Sequence, residues 1–274
     1  MITVKRLFRD RVCLFFLCIL LLIAGAALFA PWISPNDPNE IHYTARFAPM
    51  SREFPLGADH MGRCILSRIL YGGRLSMGCA VLITALSSAF GTVLGVLSGY
   101  IGGRFDRIFM GVCDAVRAFP GIVIVLAAVS LLGTGLVQLC LGMLAVRWVW
   151  CARVARNLTR AEKEKEAVPA SRMAGSGKVR IMVSQIFPAI RMQILAVSTI
   201  QFGSALTALA GYSFLGFGAL PPSPEWGMMI QDGRSFISTN PLMMFWPGMC
   251  ILAVVIAVNA LGDRIQELSK KGQR

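Results

Sequence analysis

The sequence is poor in the side chains that enzymes most often use for catalysis. Its 274 residues include only two histidines, four tyrosines and 14 acidic residues. It contains no Gly-x-Ser-x-Gly nucleophile elbow and no His-Glu-x-x-His zinc helix. Gly175-Ser176-Gly177-Lys178 fails as a phosphate loop, because Val179 lacks the hydroxyl that would bind magnesium. The sequence therefore predicts a chain with no catalytic or nucleotide site of its own.

The eight cysteines form no Cys-x-x-Cys pair, so the sequence indicates neither a zinc site nor a disulfide framework. Only Cys64 lies clearly outside an apolar stretch. The 27 basic residues outnumber the acidic ones, but they are divided among short segments rather than gathered on one aromatic-rich face. This distribution excludes nucleic acid as a partner.

Apolar residues, in contrast, are abundant. They make up 55% of the chain, and the mean hydropathy of +0.65 is too high for an ordinary soluble domain. A stretch of about 18 apolar residues is long enough to cross a bilayer. The chain is therefore predicted to be an all-α integral membrane protein, with six spans near 12–33, 77–101, 110–132, 135–152, 192–215 and 243–262.

The basic residues indicate the orientation. The N-terminal tail, the short loop after the second span, the segment 153–191 and the C-terminal tail together hold 19 of the 27. The opposite-side segments 34–76 and 213–242 hold six. Because basic loops favour the cytoplasm, both termini are predicted to be cytoplasmic. The apolar run within residues 1–30 is longer than that of a signal peptide and lacks a cleavage motif, which predicts an uncleaved first anchor.

Glycines are regularly spaced in the second span. Gly91, Gly95 and Gly99 form a flat stripe on a helix, against which a neighbouring backbone can pack closely. We interpret the stripe as a helix-packing surface. An interface that moves during function is the alternative interpretation.

A charged segment between the fourth and fifth spans carries the most specific motif. It runs from Glu166 to Gly175, places small residues at helical spacing, and is followed by Phe187-Pro188. Pro169 favours the start of a helix and Gly175 favours its end. The segment resembles the coupling loop of ABC-importer permeases, whose pattern is Glu-Ala-Ala-x-x-x-Gly with a later Leu-Pro. Pro169 stands in place of the glutamate of that pattern, and Phe187 in place of the leucine.

Further motifs resemble the dipeptide, oligopeptide and nickel branch of these permeases, in the same order along the chain. They are Leu56-Gly57-Ala58-Asp59, Gly62-Arg63, Ser67-Arg68, Ser213-Phe214-Leu215-Gly216-Phe217-Gly218, Pro224-Glu225-Trp226-Gly227, Pro247-Gly248 and Asn259-Ala260-Leu261-Gly262-Asp263. Cys64 replaces an acidic residue of the pattern, which puts in doubt any ion pair that the family makes there. The resemblance extends over nearly the whole chain.

The resemblance implies a type I ABC importer fold, with a lead helix and a five-helix core. Residues 1–76 would comprise the N-terminal tail, the first helix and a periplasmic segment, and residues 77–274 the core with a coupling loop at 156–190. A second homologous permease would complete the pore in the bacterial inner membrane. Two cytoplasmic ATPases would bind ATP and Mg, and a periplasmic or lipid-anchored solute-binding protein would deliver the cargo. Membrane lipid would surround the helices, and this chain itself would hold no cofactor or metal.

The resemblance also implies roles for particular residues. Polar residues inside apolar spans are expected to face the translocation path. Asp114 and Arg117 lie three residues apart on one helix face, and we interpret them as neutralising each other. Arg147 must snorkel, pair or face water, and Asp114 is a possible partner for it. The residues expected on the path are Asp114, Arg147, Gln193 and Gln201, and those expected to contact the ATPases are Pro169, Ala170, Ser171, Arg172, Gly175 and Pro188.

The cargo is expected to be nickel or a nickel-chelate. The stretches 147–153 and 244–248 resemble nickel-importer permeases, and Leu242 follows Pro241 where peptide permeases more often carry tryptophan. Dipeptides or oligopeptides are the alternative cargo. A self-sufficient secondary transporter is the alternative of another class, although the sequence shows no internal repeat of the kind typical of that class.

Overall fold

The computed structural model describes residues 10–271, and every long regular element in that range is an α-helix. This confirms the predicted all-α class. A π-helical turn over Met182–Ile186 joins the eighth helix to the ninth. In chain order the helices are α1 (Arg11–Leu28), α2 (Ala30–Ile33), α3 (Ile65–Ile101), α4 (Gly103–Ala118), α5 (Gly121–Leu132), α6 (Leu136–Lys163), α7 (Ala167–Met173), α8 (Lys178–Ile181), α9 (Phe187–Phe214), α10 (Trp226–Gly233) and α11 (Leu242–Lys271).

The long helices are apolar enough to form a membrane domain. Within the described residues, five helical units have the length and composition to cross a bilayer: α1, α3, α6, the continuous α8–α9 unit and α11. A sixth crossing results if α4 and α5 together count as one bent span. The chain is thus a multi-pass helical membrane protein, as the hydropathy pattern predicts.

The third span differs from the continuous helix predicted over 110–132. Phe119 adopts an extended backbone (φ −96°, ψ 142°) between α4 and α5, and the two helices meet at 83°. A proline disfavours helical geometry in the residue before it, so Pro120 breaks the helix at this point. α5 is consequently only 12 residues long, and α4 is amphipathic, with Asp106 buried and Ile108 exposed.

The second long helix, α3, begins well before the predicted start of the second span at residue 77. With 37 residues it is about 55 Å long, almost twice the thickness of the hydrocarbon layer. Its N-terminal end is buried in protein, because Gly72 and Gly73 pack against Pro224 and the ring of Trp226. Hydropathy misses this end because it contains Arg68. The predicted division of the chain after residue 76 therefore falls inside a helix.

The Pro-x-Trp-Gly motif fixes α10 against the N-terminal half of α3. Glu225 is fully buried, and its Oε1 accepts hydrogen bonds from the Ser76 hydroxyl at 2.8 Å and the Gly227 N–H at 3.0 Å. The indole N–H of Trp226 donates to the carbonyl oxygen of Ile69 at 3.0 Å. These bonds satisfy the buried carboxylate and the indole, and they hold the short outer helix in one position.

Two buried arginines and the buried Asp59 lie together with the half-buried Asp232 on the same side of the molecule. Arg63 Nε donates to Asp59 Oδ2 at 2.6 Å, and Arg63 also lies 3.4 Å from Asp232 Oδ2. Arg68 lies within 3.7 Å of both carboxylates. The four charges cancel, which makes their burial tolerable. Arg63 thus has ion-pair partners even though Cys64 replaces the acidic residue that the family pattern places next to it.

The glycine stripe of α3 packs directly on α6. A β-carbon added at Gly95 would overlap the carbonyl oxygen of Ala152 and lie 2.8 Å from the β-carbon of Ala155. β-Carbons at Gly91 and Gly99 would press on the backbone of α6 in the same way. The glycine stripe is therefore the surface on which α3 and α6 pack closely together.

Candidate functional site

The helix predicted in the charged inner segment is present as α7. It begins at Ala167, two residues before the predicted start at Pro169. Pro169 is accommodated because the first N–H groups of a helix have no partner within the helix, so its missing N–H costs little. Val168 is buried in an apolar cluster with Val96 of α3 and Ile181 of α8. This side chain anchors α7 to α3 and α8.

Gly175 ends α7 in the manner predicted from the sequence. Its backbone is left-handed (φ +80°), which L side chains rarely adopt. The N–H of Gly175 donates to the carbonyl oxygen of Arg172 at 3.0 Å, and the N–H of Ser176 donates to that of Ser171 at 3.0 Å. This pair of bonds is a Schellman motif, which satisfies the last carbonyls of the helix and turns the chain sharply.

The outward surface of α7 is almost entirely free. Pro169, Ala170, Arg172 and Met173 are exposed, and Met173 shows 85% of its accessible surface. A methionine is flexible and apolar, which suits a side chain that adapts to a protein surface. An anchored short helix with an apolar tip is therefore available for contact from outside the chain.

The two remaining residues predicted to contact the ATPases are Ser171 on α7 and Pro188 in the first turn of α9. The Gln185 amide donates to the Ser171 hydroxyl at 2.5 Å, which ties α7 to the π-helical turn before α9. Pro188 is exposed in the first turn of α9 and has no N–H for a bond to the preceding turn. The helix widens into its π turn immediately before this proline.

A buried carboxylate, which the sequence did not single out, lies close to this segment. Asp106 of α4 accepts hydrogen bonds from the Ser98 hydroxyl of α3 and from Arg156 Nε of α6, both at 2.6 Å. Arg160 lies 3.9 Å away. The side chain of Asp106 thus joins α3, α4 and α6. The sequence signal was weak, because Asp106 is one acid among several basic residues of a short loop.

Two of the four residues predicted to face the path are brought together. The guanidinium of Arg147 on α6 donates to the backbone oxygen of Gln201 at 2.9 Å and to its Oε1 at 3.1 Å. Gln193 lies about two turns earlier on α9 and is half-buried. The half-buried arginine therefore binds α9 rather than Asp114.

Asp114 has a different partner from the two weighed in the sequence. It forms an ion pair with Arg153 of α6, and its side chain remains 66% exposed. Arg117 lies over the ring of Trp150, 5.9 Å from the centroid. Asp114 therefore pairs neither with Arg117, the interpretation that their spacing favoured, nor with the possible partner Arg147, because tertiary packing places Arg153 of α6 beside it.

A mostly apolar groove that carries four hydroxyl side chains was also missed. It has a volume of about 500 Å³ and lies between α1, α3, α9 and α11. Ser198 donates to the Ser88 hydroxyl at 2.8 Å on its wall, with Thr84 and Thr199 nearby. Serine and threonine carry no charge, so they change the hydropathy profile only slightly.

Among residues 10–271, no group of three or more histidine, cysteine or acidic side chains is placed to hold a metal ion.

Comparison with known families decides what this bundle is. Residues 91–274 match the family described as the binding-protein-dependent transport system inner membrane component. The chain belongs to this family. Residues 2–49 match the N-terminal transmembrane domain of oligopeptide transport permease C, which extends the similarity into the lead helix.

Curated relatives cover nearly the full length of the chain. The nickel transport system permease protein NikC of Escherichia coli K12 is 38% identical over 92% of this chain and 91% of its own. The metal-staphylopine import system permease protein CntC of Staphylococcus aureus is 36% identical over 97% and 92%. The dipeptide transport system permease protein DppC of Haemophilus influenzae is 35% identical over 94% and 90%.

These similarities confirm the resemblance seen in the motifs. The chain is an inner-membrane permease of the peptide, nickel and metallophore group of ABC importers. As a binding-protein-dependent transport component it works with ATPase subunits and a solute-binding protein, and permeases of this kind are not catalytic. The secondary-transporter alternative is therefore set aside.

Proposed function

We propose that this chain forms half of a translocation pore together with a second, homologous permease. Two cytoplasmic ATPases would clamp the inner face of the pair, and a periplasmic or lipid-anchored solute-binding protein would deliver cargo to the outer face. The distribution of basic residues supports an orientation with both termini in the cytoplasm. The proposed layout is a lead region in residues 1–76 and a five-helix core in residues 77–274.

The ATPases would act on this chain through α7. The observation that carries this assignment is the anchored helix with an exposed apolar tip, formed by buried Val168 and exposed Met173. Pro169, Ala170, Ser171, Arg172, Gly175 and Pro188 belong to the same inner surface or its supports. We expect ATP binding to close the two ATPases and pull α7 with them. Val168 would then transmit the displacement to α3 and α8, and the bundle would switch between inward-open and outward-open states.

The proposed cargo is nickel or a nickel-chelate. The similarity to NikC and the motifs at 147–153 and 244–248 support this choice. The similarity to DppC supports peptides as the second candidate. Neither follows from a binding site in this chain, since a solute-binding protein selects the cargo in systems of this class.

Uptake measurements distinguish the two cargoes. Cells of the source organism that lack this chain should take up radioactive nickel at least tenfold more slowly than cells with the chain restored. Uptake of a labelled dipeptide should be unchanged. A loss of dipeptide uptake with normal nickel uptake would replace nickel by peptide as the cargo, while leaving the permease assignment intact.

Arg147 is proposed to face the translocation path together with Gln201, with Gln193 and Asp114 further along it. Replacement of Arg147 by leucine removes both bonds to α9 and the positive charge. We expect uptake to fall at least tenfold while assembly with the other subunits is retained. Arg104→Leu, which removes an exposed cation in the first turn of α4, is the matched control and should transport normally. Unchanged uptake and assembly in Arg147→Leu would contradict the role.

A further inference from the structure

We propose that a cavity between the end of α3 and helix α7 binds the phosphate group of an anionic phospholipid. The cavity has a volume of about 420 Å³ and lies where α3, α6, α7 and α8 come together. Of the described residues that line it, three are cations and none is acidic. We call it the basic pocket, and its lining residues are Tyr100, Ile101, Lys163, Arg172, Ser176 and Lys178.

The three cations of the basic pocket have no carboxylate in direct contact. In the described part of the chain, neither Lys163, Arg172 nor Lys178 forms an ion pair with a carboxylate. Lys163 Nζ donates instead to the backbone oxygen of Tyr100 at 2.6 Å. Inner-face cations elsewhere do find acids, as Lys165 does with Glu162. The pocket therefore concentrates positive charge that an incoming anion would neutralise.

Tyr100 holds two of these cations in place. Its ring is 97% buried, the guanidinium of Arg172 lies 5.0 Å from its centroid and the ammonium of Lys163 lies 5.5 Å from it. Cation–π contacts stabilise each group, but two like charges on one ring also repel each other. A phosphate between them would relieve that repulsion. It would also match the fork of arginine N–H donors, and the Ser176 hydroxyl on the pocket wall offers a further donor.

The position of the basic pocket favours a lipid headgroup as the source of the phosphate. Ile101 is the last residue of a membrane-spanning helix and is 53% exposed on the pocket rim. Aromatic and basic residues at such a helix end mark the boundary between hydrocarbon and water. Basic clusters at this depth attract anionic lipids. Placement of the site in the inner leaflet rests on the proposed orientation of the chain.

A bound headgroup would connect the coupling helix to the membrane domain. Arg172 belongs to α7, whereas Lys163 ends α6 and Lys178 begins α8. A single phosphate contacted by all three would add a link to those that Val168 and the Gln185–Ser171 hydrogen bond already provide. Anionic lipid is therefore expected to stiffen the attachment of α7 to the core.

The test is native mass spectrometry of the full-length chain, purified in mild detergent with whichever subunits accompany it. After delipidation, phosphatidylglycerol is titrated, with phosphatidylcholine as the zwitterionic comparison. We expect tight binding of at least one phosphatidylglycerol, and at least tenfold weaker binding to the Lys163→Gln/Lys178→Gln variant. Arg180→Gln/Arg191→Gln is the matched control, because it removes two exposed cations of the same inner segment that do not line the pocket.

Several results would overturn the proposal. Equal loss of binding in both double variants would show general attraction to a basic surface. Equal binding of phosphatidylcholine would remove the role of lipid charge. Displacement of the lipid by millimolar inorganic phosphate would identify free phosphate as the ligand. Because this assay uses neither cargo nor ATP, a negative result would leave the importer assignment standing, and loss of transport would leave the lipid site standing.

Discussion

Replacement of Gly175 by aspartate is expected to reduce recovery of the ATPase subunits with this chain at least tenfold, without loss of membrane insertion. The left-handed backbone at Gly175 costs most residues with a β-carbon about 1–2 kcal/mol, and Asn and Asp adopt it with less strain. The new carboxylate would also lie at the C-terminal end of α7, where the helix dipole disfavours negative charge. An unpaired charge in a contact that excludes water costs more than the roughly 1.4 kcal/mol that corresponds to a tenfold change in affinity. The measurement is co-purification at equal expression of the permease.

Two control variants separate backbone from charge in this experiment. Gly177→Asp introduces the same charge two residues away, at a site with an ordinary backbone (φ −66°) and open space around it. It should retain the ATPases. Gly175→Asn keeps the side chain neutral and suits a left-handed residue, so it should lose little. Normal co-purification of Gly175→Asp would refute the docking role of α7.

The second large effect is expected at the contact between α3 and α6. Gly95→Leu would drive a side chain into the backbone of α6 at Ala152, which cannot move aside as a flexible side chain could. We expect a cost of about 3 kcal/mol or more, equivalent to a fall of roughly 6–12 °C in the midpoint of thermal unfolding. Thermal unfolding in mild detergent, followed by size-exclusion chromatography, measures the change.

Gly78→Leu is the matched control for this prediction. Gly78 belongs to the same helix and has no neighbouring atom within 4 Å of an added β-carbon. The apolar side chain would face outward, so stability should be unchanged or slightly increased. Equal stability of both variants would mean that the stripe does not carry close packing in the native protein.

The sequence predicted the helices that lie in lipid more accurately than the parts that lie in protein. Hydropathy located α1, the inner half of α3, α6, α9 and α11, because a bilayer selects long apolar segments. It missed the outer end of α3, where Arg68 is buried by pairing with Asp59 and Asp232. It also missed the bend at Pro120, since α4 and α5 read as one apolar run.

The end of helix α7 was easier to predict from the sequence than the partners of the charged residues in the membrane spans. Gly175 ends its helix because the left-handed geometry of a Schellman motif strongly favours glycine, and this requirement is local and visible in the sequence. The partners of Asp114 and Arg147 depend instead on which helices meet in space. Sequence spacing placed Asp114 near Arg117, whereas tertiary packing gave it Arg153 and gave Arg147 to Gln201.

The most direct measurement is to purify this chain gently from its native membrane and identify by mass spectrometry all proteins that accompany it, with and without mild cross-linking. We expect a second, homologous permease and one or two ATPases, and a solute-binding protein whose own metal or peptide content would identify the cargo. Recovery of this chain alone, even after cross-linking, would contradict the proposal that it is half of an ATP-driven pore.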